Sequence, residues 1–201
     1  MRCPRLVAHR AQVRESFPTY QAHPIGAWGP ARARLLIVGL APGLHGAART
    51  GKAFVGDASG EFLFAALYRA GLCSSPDPHV AKLLQTRITN AVKCLPPGNA
   101  PNTAELNNCA TFLQSELSEH YSPRKRQRRV VLALGGVAYR SVCKALGVTG
   151  ISFEHDRRVD VTAKLRLVGA FHPSRLNVNT KRLTPRMLDD VFAGVRDYLT
   201  L

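Results

Sequence analysis

No stretch of the 201 residues approaches the apolar length of a membrane span, and the amino-terminal end lacks the pattern of a secretory leader. Both absences point to the cytoplasm. Cysteines are few. Cys3, Cys73, Cys94, Cys109 and Cys143 make an odd set of five with no Cys-x-x-Cys pair among them. In a cytoplasmic protein disulfides are disfavoured, which leaves metal ligation, catalysis or buried thiols. Internal repeats and long low-complexity segments are also missing. With 45% apolar and 20% charged residues, the composition is that of an ordinary soluble protein. One domain over residues 1–201, large enough to bury a sizeable core, is the simplest organisation.

Acidic side chains are scarce. Thirteen Asp and Glu stand against 28 Lys and Arg, a formal net charge of +15. Such a field draws polyanions before any specific contact forms. No strongly basic amphipathic helix of the interfacial kind is present, and the arginines are spread over many segments, so nucleic acid is favoured over a membrane surface. Charge alone does not separate DNA from RNA. The densest basic run, Arg124–Arg129, precedes a strand, which puts it on the wrong edge of a sheet for a cleft. It reads as solvated surface charge.

Strand and helix patterns alternate. Cys3 to Glu15 has helical periodicity, and Pro18, Pro24, Gly26, Gly29 and Pro30 break the segment after it. Arg34–Gly39 is an apolar, β-branched run ending in glycine, the pattern of a buried strand. Helix spacing covers Gly60–Ala70, with Gly71 as its stop. A second strand spans Thr86–Val92 and runs into the turn-rich Cys94–Pro101. Thr103 is placed to cap a long helix ending near His120. Val130–Leu134 is a third strand, broken by Gly135 and Gly136 before a helix to Leu146. Phe153–Val161 is ambiguous. Leu165–Ala170 is a further strand, and Thr184 with Pro185 opens a last helix to Leu199. The alternation predicts a three-layer α/β/α fold around a mainly parallel sheet. The polar or glycine-rich segments after Gly39, Val92, Leu134 and Ala170 then converge at one cleft.

The first of these segments is the richest: Gly39-Leu-Ala-Pro-Gly43-Leu-His45-Gly46, continuing to Phe54-Val-Gly-Asp57. Its glycines let backbone approach a ligand, while His45, Arg49, Lys52 and Asp57 bring an imidazole, cations and a carboxylate. From residue type alone each candidate keeps a bland alternative. Asp57 is equally a helix cap. His172 can simply tie down the turn before Pro173, and His45 can brace the glycine loop. Phe54 can be core, Asn90 can satisfy loop backbone, and Leu176 can be a packed leucine.

Together the Gly-Leu-Ala-Pro-Gly43-Leu-His45-Gly loop, the Phe54-x-Gly-Asp57 tail, Thr89-Asn90-Ala-Val-Lys-Cys94-Leu-Pro-Pro-Gly-Asn, Leu132-Ala-Leu-Gly135-Gly136 and His172-Pro-Ser-Arg-Leu-Asn-Val-Asn-Thr-Lys-Arg-Leu-Thr184 resemble the uracil-DNA glycosylase superfamily, and within it the family 5 enzymes of bacteria and archaea. The resemblance runs over nearly the whole chain. It implies hydrolysis of the N-glycosidic bond of a damaged base flipped out of DNA, since a stacked base is out of reach. Bond cleavage builds positive charge on the sugar and negative charge on the base. The site must therefore supply a carboxylate, a donor at the base oxygen and a flat platform. By resemblance Asp57 is the carboxylate that stabilises the sugar cation and orients water, and His172 donates to the base oxygen. Phe54 stacks on the base, Asn90 reads its edge, and Gly43 and His45 border the pocket. Leu176 is the wedge that fills the gap left by the extruded nucleotide. Ser174, Arg175, Asn177, Asn179, Lys181 and Arg182, with the amides of Gly135 and Gly136, hold phosphates.

Families 4 and 5 also carry a [4Fe-4S] cluster on four cysteines. Cys3, Cys94 and Cys109 match three of the ligands. The partner of Cys3 falls before Met1 and is missing: either the start is set too late, or the cluster takes another ligand, or it is incomplete. Cys73 and Cys143 match nothing and read as buried thiols. Ala48 stands where the family pattern His-Gly-x-Asn-Arg-Thr-Gly carries a polar residue, a change that would alter activity or substrate range if that side chain orients water or base. The resemblance implies a monomeric, monofunctional enzyme that leaves an abasic site, with uracil as first substrate and hypoxanthine within range. The rivals are a DNA-binding module of the same fold that has lost catalysis and a small-molecule nucleosidase, the latter opposed by the charge.

Overall fold

The computed structural model describes residues 3–122 and 126–201. Arg124 and Lys125 of the basic run lie outside the described residues. The strands are β1 (Leu35–Gly39), β2 (Thr86–Asn90), β3 (Arg129–Leu134), β4 (Arg157–Thr162) and β5 (Leu165–Ala170). They form a five-stranded sheet in the order β2-β1-β3-β5-β4. All neighbours are parallel except β4 with β5. The ambiguous segment before Val161 thus ends in an antiparallel edge strand. Its direction follows from its connection, because Ala163 and Lys164 alone separate it from β5, too few residues for a parallel crossover.

The helices are α1 (Pro4–Ser16), α2 (Ala47–Thr50), α3 (Ala58–Arg69), α4 (Thr103–His120), α5 (Gly136–Leu146), α6 (Arg175–Asn179) and α7 (Pro185–Leu199). The two-residue period of the strands sorts the core into two faces. Leu35, Ile37, Val130, Leu132 and Val168 pack on one face against Leu63, Phe64 and Leu67 of α3 and Leu188, Phe192 and Val195 of α7. Leu36, Val38, Val131, Ala133 and Leu167 face the other way, against Leu113 and Leu117 of α4 and Tyr139 and Val142 of α5. The chain is therefore the expected three-layer α/β/α fold. Helix α1 covers neither face. Its Leu6 packs with Val92 and Cys109, and its Val13 with Ala22, Ala48 and Leu95, so it closes over the segments that leave β1 and β2.

Most boundaries fall within two residues of the sequence reading, and one cap is corrected. Asn102, not Thr103, caps α4. Its side chain accepts from the Glu105 N–H at 2.9 Å while Glu105 reaches back to the Asn102 N–H at 2.9 Å, a reciprocal capping box. Glu105 is also gripped by Arg5 of α1 at 2.7 and 2.8 Å, which fastens the start of α4 to α1. The basic run ends in structure rather than solvent at Arg129, which is 5% exposed and donates to the Ala33 carbonyl.

Candidate active site

The carboxyl ends of β1, β2, β3 and β5 lie on one edge of the sheet, where ligands bind in folds of this class. A cavity of about 310 Å³ opens there. Gly43, Phe54, Asp57, Asn90, His172 and Ser174 line it, together with Leu40, Ala41, Ala47, Ser59 and Asn99. Six residues singled out in the sequence, from three separate segments, are thus brought to one place. Ser59 and Asn99 were missed. Asn99 sits in the Pro97–Asn99 turn of the second convergent segment, and that convergence was the available signal.

Strand register builds the cavity floor. Gly39 at the end of β1 pairs with Asn90 at the end of β2. A Cβ on Gly39 would come within 2.4 Å of Asn90 Oδ1 and 2.7 Å of the Phe54 ring, so the bare glycine is what lets both side chains lie across the strand end. Phe54 itself has φ +60°, an unfavourable region for a side chain of this size. Strain of this kind is held in place by the surrounding structure: the Phe54 carbonyl rests 2.2 Å from where a Cβ on Gly60 would be. The Phe54 ring lies 5.6 Å from the His172 ring, tilted by 35°. An aromatic surface and an amide that both donates and accepts therefore share one small space.

Asp57 serves two structures with its two oxygens. Oδ1 accepts the Gly60 N–H at 2.9 Å and caps α3. Oδ2 faces the glycine loop: a Cβ on Gly46 would lie 2.2 Å from it, and one on Gly43 would lie 3.4 Å away. The cap reading and the cavity reading of Asp57 are thus compatible. Arg49 donates to the Gly56 carbonyl at 2.7 Å and holds the tail that delivers the carboxylate.

His172 follows β5. Burial pushes its imidazole below the ordinary value, and the charge of Asp57 pulls in the opposite direction. Burial dominates, so at neutral pH the ring is uncharged and carries one N–H. Its carbonyl accepts from Asn177 Nδ2 at 2.8 Å. Ser174 caps α6, the short helix carrying Arg175, Leu176, Asn177 and Asn179. Leu176, two residues on from the cavity-lining Ser174, is 73% exposed, which excludes the packed-leucine reading.

Other candidates lie elsewhere. His45 is not in the cavity wall. Its Nδ1 is 2.9 Å from the Tyr20 hydroxyl and its ring meets Phe17 edge-on, so it braces the loop against the segment after α1. Ala48 faces Val13, Ala22 and Leu95 rather than the cavity, an apolar setting that suits alanine. Gly135, with φ +93°, lies under His172, where a Cβ would sit 3.4 Å from the His172 Cβ, and Gly136 faces Arg140 and Phe153. Arg182 stacks on Phe171 at 4.6 Å, while Arg175, Asn179 and Lys181 are exposed.

A second cavity of about 580 Å³ is lined by Cys3, Cys94 and Cys109 with Arg10, Lys93, Asn108 and Glu116. Among the described residues no group of three His, Cys, Asp or Glu is close enough to hold a single metal ion. The thiols instead surround a space. Asn108 donates to Cys3 Sγ at 3.4 Å, and Arg10 Nε is buried without a hydrogen-bond partner. Burial pushes the Cys94 and Cys109 thiols up, with Arg10 pulling Cys94 back and the Lys93 backbone pulling Cys109 back. Thiolates there need a cationic core to form. Three sulfurs, an unpaired guanidinium N–H and room for more than one atom suit an iron-sulfur group better than a lone ion. Cys73 and Cys143 are buried in the cores on opposite faces of the sheet.

A family model described as the uracil DNA glycosylase superfamily matches residues 27–196. A type-5 uracil-DNA glycosylase of Mycobacterium leprae is 44% identical over 96% of this chain and 89% of its own length. One from Pyrobaculum aerophilum is 44% identical over 94% of this chain and 84% of its own. The crystal structure of SMUG2 from Pedobacter heparinus shares the fold, with a TM-score of 0.53 at 14% identity over 83% of this chain and 76% of that one.

Proposed function

The chain belongs to the uracil-DNA glycosylase superfamily, and from that membership we propose the reaction of its cavity: hydrolysis of the N-glycosidic bond of deoxyuridine flipped out of DNA, leaving an abasic site. The observation that carries this reading is the pairing of an uncharged His172 with the Asp57 carboxylate on the walls of one small cavity, with the Phe54 ring and the Asn90 amide between strand ends beside them.

In this reaction Leu176 enters the base stack and the uracil turns out into the cavity, against an unstacking cost of a few kcal/mol. The ring lies on Phe54, and the Asn90 amide meets the base edge that carries both a carbonyl and an N–H. As the bond lengthens, the His172 N–H donates to the base oxygen where negative charge collects, and no proton need be transferred. Asp57 Oδ2 faces the developing sugar cation and holds the water that completes hydrolysis. Its Oδ1 stays on the cap of α3, which fixes the carboxylate's direction. The exposed cations of α6 and the Lys181–Arg182 turn meet phosphates and set register. Hypoxanthine is a second substrate on this reading. Gly43 leaves the wall beside Asp57 open, so a larger purine is tolerated. The enzyme works as a monomer in the cytoplasm, where its DNA is.

Cys3, Cys94 and Cys109 would hold three corners of a [4Fe-4S] cluster, with the Arg10 guanidinium against it. When bound, the cluster supplies a cross-link between the start of α1, the segment after β2 and α4.

The test is base release from a duplex oligonucleotide carrying one deoxyuridine, scored by alkaline cleavage, beside free deoxyuridine. Release from DNA alone, weakened steeply by salt, supports the reading. Binding without release favours the DNA-binding module, and turnover of the free nucleoside favours the nucleosidase.

A further inference from the structure

His172 is the proposed donor, and its ring hangs from a peptide just past the end of β5. Phe171, the residue before it, has left the strand ladder. Its N–H donates instead to a side chain, His155 Nδ1, at 3.1 Å. An N–H pointed at Nδ1 requires that nitrogen to be unprotonated, so the His155 proton sits on Nε2. The same His155 ring stacks on the Phe171 ring at 4.9 Å and 25°. Arg182 stacks on Phe171 at 4.6 Å and Phe153 meets it edge-on at 6.0 Å. On the other side of His172, Asn177 holds the carbonyl.

We infer that His155 is a positioning residue for base release: by accepting the Phe171 N–H it fixes the Ala170–Phe171 peptide, one residue before His172, and with it the direction in which the His172 N–H points into the base cavity. This rests on the reading of His172 as the donor to the leaving base. The neighbouring contacts explain why a hydrogen bond is needed. Stacking fixes the plane of the Phe171 ring, and the Gly135 N–H holds the Ala170 carbonyl at 2.8 Å, which leaves the N–H side of the Ala170–Phe171 peptide for His155 to hold. The Asn177 bond fixes the far end of residue 172 only. Rotation of the peptide between Ala170 and Phe171 would swing the imidazole at the end of its lever, and a displacement of about 1 Å at a reacting group can cost on the order of a hundredfold in rate. His155 stands on the segment leading into β4, an element absent from the cavity wall, so it acts on the reaction only through residue 171.

Two substitutions separate the hydrogen bond from the packing. His155→Phe keeps a ring against Phe171 and removes the acceptor. His155→Asn removes the ring and places an amide oxygen near the position of Nδ1. Single-turnover uracil release and duplex affinity are measured for both, with thermal melts to confirm folding, and His155→Phe is repeated in a His172→Ala background. His155→Phe is expected to slow release by about tenfold to a hundredfold with affinity unchanged within about twofold. His155→Asn should stay within about threefold of the parent, and His155→Phe should cost nothing further once His172 is gone. Near-normal release by His155→Phe, or the same loss with and without His172, overturns the inference and leaves the glycosylase reading standing. A parent chain that releases no uracil, or a His172→Ala chain as fast as the parent, removes the catalytic reading and this inference with it.

Discussion

Gly46→Ala is the substitution that asks most of the active-site geometry. The added methyl would fall 2.2 Å from Asp57 Oδ2 and 2.8 Å from its Cγ, distances no real Cβ keeps. Gly46 has φ −98°, so alanine is not barred by a left-handed backbone, and the collision with Asp57 is the main effect. The carboxylate must swing away and its bond to the Gly60 N–H goes with it. Loss of a helix cap costs about 1 kcal/mol, which for a chain of this size lowers Tm by roughly 2–4 °C. Removal of preorganised charge from beneath a developing cation costs at least about a hundredfold in rate. Gly43→Ala is the control for stability alone: its methyl would rest 3.4 Å from the same oxygen, an ordinary contact, so the cap of α3 and Tm should hold. Asp57→Asn completes the set: asparagine caps as well as aspartate, so stability should hold while chemistry fails. The assay is single-turnover uracil release from a duplex, with melts by circular dichroism. Gly46→Ala releasing uracil within about threefold of the parent, at a dose where Asp57→Asn is inactive, would refute the placement of the carboxylate.

The pH dependence follows from His172. Burial lowers its imidazole below the ordinary 6.5, and the uncharged form is the one that donates without stranding a buried charge. Release should therefore be level through neutral pH and fall only on the acid side of that value, and the same protonation should destabilise the fold there, since the unfolded chain takes up the proton more readily. A rate profile with an acid limb above 6.5 would contradict this. Leu176→Ala, at a side chain 73% exposed, should leave Tm unchanged within about 0.5 kcal/mol of stability and slow release from duplex more than from single-stranded DNA. Equal slowing on both would remove the wedge. The proposed cluster predicts a visible sulfur-to-iron absorbance in purified protein that Cys94→Ser or Cys109→Ser abolishes and Cys73→Ser or Cys143→Ser leaves intact; its absence from the parent protein would remove the cluster.

Much of the fold was legible because its signals are local. The run Arg34–Gly39 announced a buried strand through continuous apolar, β-branched residues, and Thr184-Pro185 announced α7 through capping chemistry. The alternation of such segments then forced the loops after four strands to one edge, which is why Asp57, Asn90 and His172 could be grouped from sequence. What escaped depends on tertiary contact. Strand β4 has a half-buried, half-exposed pattern with charged residues at Arg157, Arg158 and Asp160, so no apolar run marked it; its pairing with β5 and the Arg166–Asp160 contact at 2.7 Å hold it. Asn102 hid beside Thr103, an equally good cap, and the glutamate three residues on was the distinguishing mark. His45 belongs to a conspicuous motif yet packs on Tyr20 and Phe17, a contact that no spacing encodes. His155 carried no motif at all. Its inferred part comes from meeting the Phe171 N–H at the end of the paired strands, where the chain enters β4 and leaves β5.

In the proposed reaction Asp57 and His172 act together on a base flipped into the cavity after β1, β2 and β5. Single-turnover release of uracil from a duplex, compared among the parent, Asp57→Asn, His172→Ala and the double variant, tests it most directly. Each single substitution should lower the rate by about a hundredfold or more, and the double should fall well short of the product of the two, as groups that stabilise the opposite ends of one charge separation do. Release by Asp57→Asn at the parent rate would remove Asp57 from the chemistry.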